Sequence, residues 1–72
     1  MMSGMKSLVD ISAAHRARLA AEIRKRRERA GITWQAMADH CGVSVVTAQR
    51  WGAARSLPEN QHLAALDKLF SR

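Results

Sequence analysis

The tightest constraint in this chain is the tripeptide Gly42-Val43-Ser44, set between two short helix-forming runs. Trp34 to Cys41 reads as one helix, and Val45 to about Gly52 as the next. Ala38, four residues before Gly42, is small enough to let the second helix approach the first. Gly42 supplies the left-handed residue that ends the first helix. Val43 plugs the elbow between them. Ser44 caps the second helix, its hydroxyl accepting from a free backbone N–H, and leaves that helix N-terminus facing outward. Two short helices meeting at such an elbow form a helix-turn-helix.

The rest of the chain reads as helix around this unit. Residues 1–11 show no helical period and form an expected flexible start, with an apolar patch of Leu8, Val9 and Ile11. Ser12 is an N-cap candidate, and nothing from Ala13 to Ala30 breaks a helix. Leu19, Ile23 and Ala30 share one face of that long helix. Glu22 can pair with Arg26, and Arg24 with Glu28, at four-residue spacing. Gly31 ends the helix, and Thr33 caps the next. Met37, Ala38 and Cys41 should face inward, as should Val43, Ala48 and Trp51. Residues 52–60 read as a loop. Gln61 to Phe70 is a final helix with Leu63, Leu66, Leu69 and Phe70 at spacings of three and four. The expected fold is therefore all-α: four main helices over residues 12–72, with residues 1–11 outside the bundle.

Length and composition narrow the function. Seventy-two residues hold one domain. Of its 34 hydrophobic residues 13 are Ala, and only 14 are Leu, Ile, Val or Phe, so the core is thin. A thin core argues for a binding module rather than for a deep catalytic cleft. One Cys excludes an internal disulfide framework and fits a reducing compartment, so a cytoplasmic location is expected. No apolar run approaches the roughly 20 residues of a membrane span, and the N-terminus lacks the long apolar stretch of a signal peptide. Twelve Lys and Arg stand against six Asp and Glu. Seven of the twelve lie between Arg16 and Arg29, and a basic stripe of this kind fits a polyanion.

From about Ile23 to Phe70 the sequence resembles the phage repressor and Cro family of DNA-binding proteins, the lambda repressor-like fold. The resemblance is carried by Ile23, Arg27, Gly31, Ile32, Thr33, Met37, Ala38, Gly42, Val43, Ser44, Ala48, Trp51, Leu57, Pro58, Leu63 and Leu66, with no gap needed. It implies a regulator of transcription, a repressor or autoregulator from a phage or similar mobile element. Such a protein binds a palindromic operator in double-stranded DNA as a homodimer, with residues 44–52 as the recognition helix. By matched position Val45, Val46, Thr47, Gln49 and Arg50 would read bases. Thr33, Trp34, Ser44, Arg55, Ser56 and Arg27 would hold phosphates. The pattern departs from the family in four places. Trp34 stands where a Gln is common, and Gly52 where a Glu pairs with the Arg at position 27, which leaves Arg27 free to reach a phosphate. Arg26 stands where an inward Leu is common. The usual fifth helix has no counterpart after Phe70, and the long first helix and the patch Leu8 to Ile11 are candidates to replace it.

Other chemistry has little support. His40 and Cys41 are adjacent on a helix and point to different faces, and His15 and His62 are remote. No four-ligand metal spacing appears. No nucleophile with a base, no paired carboxylates and no phosphate loop stand out, so neither an enzyme, a cofactor nor a small-molecule ligand is expected. The rival readings are a protein-interaction module, such as an antitoxin or adaptor, using residues 1–12, and a basic amphipathic helix on a membrane surface. The second is weak because the apolar face of that helix is mostly Ala.

Overall fold

The computed structural model describes residues 7–71, without the side chains of residues 12–14. Those residues form five helices and no strand: α1 (Leu8–Ala14), α2 (Arg16–Ala30), α3 (Trp34–Cys41), α4 (Val45–Gly52) and α5 (Asn60–Phe70). The protein is a small all-α helix-turn-helix bundle, as the sequence implies. The first six residues of the expected flexible start lie outside the described residues.

The N-terminal region corrects two expectations. The chain is already helical at Leu8, and the cap is Ser7, whose hydroxyl accepts from the Asp10 N–H. Ser12 lies inside α1, not ahead of a helix. The expected continuous helix is also broken, at His15, whose extended backbone (φ −150°, ψ 123°) ends α1 and starts α2. The break folds α1 back onto α2 and α5. Leu8 and Ile11 thereby enter the core, which explains a turn that local propensity does not call for.

The core is built from Leu8, Ile11, Leu19, Ile23, Met37, Ala38, Ala48, Trp51, Leu63 and Leu66. Leu19 and Ile23 face it as the spacing implies, whereas Ala30, at the end of α2, is exposed. Leu69 and Phe70 are only half-buried, packed against its edge. Arg26 is buried in the position of an expected apolar residue, at 6% exposure. Its guanidinium meets Glu22 at 3.2 Å and Asp67 at 3.4 Å. The Glu22 pair is the one the four-residue spacing predicts. Asp67 also accepts from the Leu8 N–H at 3.1 and 3.2 Å, tying the start of α1 to α5.

The elbow is formed as the tripeptide requires. Gly42 adopts φ 73°, ψ 32°, and its N–H reaches back to Ala38 and Asp39 carbonyls. The Val43 N–H also closes on Ala38, at 3.0 Å. Ser44 caps α4, its Oγ accepting from the Thr47 N–H at 3.2 Å. Buried Ala38 and Ala48 bring α3 and α4 together as the most extensive helix pair.

Candidate nucleic-acid interface

The outward face of α4 follows from its 3.6-residue period. Ala48, Trp51 and Gly52 are buried. The opposite side presents Val46, Gln49 and Arg50 to solvent, with Val46 half exposed at 50%. Val46 and Arg50 are four residues apart and share one ridge, with Gln49 beside them. An exposed Val between polar neighbours is a side chain the core does not use. The side chains of Gln49 and Arg50 make no hydrogen bond among the described residues, so their donors are available.

The other residues expected to read bases are less free. Val45 is half-buried and packed against the core. Thr47 is half-buried, and its Oγ1 lies 3.0 Å from the Ser44 Oγ. Among the residues expected at phosphates, Thr33 is exposed and caps α3, accepting from the Ala36 N–H at 3.0 Å. Ser44 and Arg55 are exposed and Ser56 is half-buried. From His40 to Pro58 the chain carries Arg50 and Arg55 and no acidic residue, so the α4 face is positive.

Arg27 is not left without a partner. Its Nη1 donates to the Ile32 carbonyl at 2.7 Å, and its guanidinium carbon lies 4.8 Å from the centre of the Trp34 ring. Trp34 is correspondingly half-buried. Arg24 does not pair with Glu28 among the described residues. It donates through Nη1 to the Gly52 carbonyl at the end of α4. Sequence reading missed this bond and missed why residue 52 has no side chain. A Cβ on Gly52 would overlap Cη2 of Trp34 and lie 3.1 Å from Cζ2 and Cζ3. The available signal was complementarity of volume, a large residue at 34 against none at 52.

His62 and Cys41 pack within the fold, and His40 is exposed. His40 Nε2 is 3.0 Å from the Ala65 carbonyl, and His62 stacks against Trp51 with ring centres 5.3 Å apart. Cys41 is half-buried, and burial pushes its thiol pKa up, which keeps it protonated near neutral pH. Among the described residues no three His, Cys, Asp or Glu side chains gather as metal ligands. No described helix is long and apolar enough to cross a membrane.

A capped second helix, tightly paired to the first and presenting a polar ridge with one exposed Val, defines a helix-turn-helix domain. The helix-turn-helix domain family matches residues 18–71, and the chain belongs to this DNA-binding family. Comparison with curated proteins and with solved structures gives no match.

Proposed function

We propose that the protein is a sequence-specific regulator of transcription of the phage repressor and Cro type. It acts as a repressor or autoregulator in the cytoplasm and binds a palindromic operator as a homodimer. The observation that carries this reading is the Val46, Gln49 and Arg50 ridge on an α4 free of acidic residues. In the major groove Arg50 donates to guanine O6 and N7, Gln49 pairs with adenine, and Val46 packs on a thymine methyl. Val45 and Thr47 reach base edges from the flanks of the ridge. Thr33, Trp34, Ser44, Arg55 and Ser56 hold phosphates, which set affinity and alignment rather than sequence choice. Arg27 adds its charge from behind Trp34. Two copies place their recognition helices about one DNA turn apart, roughly 34 Å.

The experiment is selection of binders from random duplex DNA, followed by binding against salt. An inverted repeat with half-sites about 10 base pairs apart and a steep salt slope is expected. Weak binding with no enriched sequence overturns the reading. The interaction-module reading is less favoured because Leu8 and Ile11, the apolar anchors it would use, are buried in this chain's own core.

A further inference from the structure

We propose that Trp34 and Gly52 form an interlock that seats the recognition helix, making Gly52 a positioning residue for DNA binding although it need touch no DNA. The inference rests on the DNA reading of α4 given above. Four residues form a closed circuit through three helices. Arg27 of α2 lies against the Trp34 ring at the start of α3. The benzene edge of that ring fills the space over Gly52, the last residue of α4. The Gly52 carbonyl accepts from Arg24, three residues before Arg27 and on an adjoining part of the same α2 surface. The circuit closes where α4 ends, and a cation there meets the negative end of the helix dipole.

Gly52 has no dihedral reason to be glycine. It is helical, and its φ is not among the positive ones, which among the described residues belong to Gly31, Gly42 and Ala54. A helical glycine carries a propensity penalty relative to Ala. What the position requires is the absent Cβ, because Trp34 occupies that volume. Any side chain at 52 must push the ring off α4 or push α4 away from α3. Moving the ring breaks its contact with Arg27 and unseats the end of α4, whereas moving α4 disturbs the Arg24 bond and shifts the Val46, Gln49 and Arg50 ridge relative to the α3 N-terminus. Interiors are packed too closely to absorb such a change without displacement. The pyrrole N–H of Trp34 lies on the other half of the ring, so seating α4 and donating to a phosphate are compatible.

The test is a double-mutant cycle with Gly52→Ala, Trp34→Phe and the pair, with Trp34→Ala as a second partner. Affinity for the selected duplex is measured where circular dichroism shows each variant fully folded, and Tm is measured without DNA. Gly52→Ala alone should weaken binding about tenfold and lower Tm by about 5–10 °C. Phe at 34 lacks the outer ring atoms that meet the new methyl. In the Trp34→Phe and Trp34→Ala backgrounds Gly52→Ala should therefore cost less than about threefold in affinity and little in Tm. Equal losses in every background, or no loss in the Trp34 background, overturn the interlock. A parent chain that enriches no duplex sinks the DNA reading instead. The Tm cycle then decides the interlock by itself, non-additive shifts supporting it and additive shifts overturning it.

Discussion

Arg26 shows how a charge can stand in a core position without unmaking the core. A buried guanidinium carries a large desolvation cost unless it is paired and hydrogen-bonded. Glu22 and Asp67 provide the pairing, and Asp67 at the same time accepts the first N–H of α1. Removing Asp67 leaves Arg26 with less compensating charge and frees the start of α1. Asp67→Ala should cost about 2–4 kcal/mol in urea unfolding, whereas Glu22→Ala, at a partly exposed site on the same helix turn, should cost about 1 kcal/mol or less. Equal effects would mean that Asp67 is only another surface acid. The Glu22 pair was legible in the sequence because its spacing is local. The Asp67 pair spans 41 residues and no local rule reaches it. The same holds for backbone conformation. Gly42 could be assigned its positive φ from the elbow, whereas Ala54 takes φ 60° with no glycine to announce it. Ala54→Gly should accordingly stabilise the domain by about 0.5–1 kcal/mol, read as a rise in Tm with DNA affinity retained.

The helices divide by how their limits are encoded. α3 and α4 are bounded by Thr33, Gly42 and Ser44, whose signals act within four residues, and the sequence places both where they form. α1 starts at the Ser7 cap and α2 ends at Gly31, both local signals, but the break between them at His15 goes with the burial of Leu8, which is a property of the assembled bundle. Ala-rich and Arg-rich composition supports helix straight through His15, and packing of α1 onto α2 and α5 accompanies the break. The candidate site divides likewise. Its exposed ridge follows from periodicity, but the packing of Val45 against the core and the partners of Arg27, the Ile32 carbonyl and the Trp34 ring, come from contacts that spacing within one helix does not give. Within the ridge and the loop after it, two arginines should behave differently. Arg50, on the exposed ridge of α4, should discriminate bases. Arg50→Ala should flatten base preference at one operator position, a loss of about 1–3 kcal/mol in discrimination. Arg55, beyond the end of α4, should hold a phosphate. Arg55→Ala should weaken all duplexes alike and reduce the slope of log affinity against log salt by about one. Identical behaviour of the two variants would refute this division of roles.

The bundle as a whole is small, and this limits both its stability and its way of assembling. Domains of this kind are stable by about 0.05–0.15 kcal/mol per residue, and Leu→Ala at a fully buried site costs about 2–5 kcal/mol. Leu8 is fully buried, so Leu8→Ala should remove much of the stability at once. The outcome should be a broad or absent thermal transition that operator DNA partly restores, since a ligand of the folded state raises Tm by mass action. Assembly follows from the surface. The described chain exposes 4603 Å², and a standard interface takes roughly 800 Å² from each partner, about a sixth of that area. Homodimer interfaces are apolar at their centre. The exposed large apolar side chains among the described residues are Val46 and Leu57, and Val46 belongs to the α4 ridge proposed to read bases. A surface this poor in apolar contacts favours a dimer held together on DNA over one formed in free solution. Sedimentation at micromolar concentration should therefore give a monomer alone, one copy on a duplex with a single half-site, and two copies on the inverted repeat. Binding to the repeat should rise more steeply with protein concentration than binding to the half-site. A stable dimer without DNA would show that the chain pairs through a surface other than these exposed apolar residues.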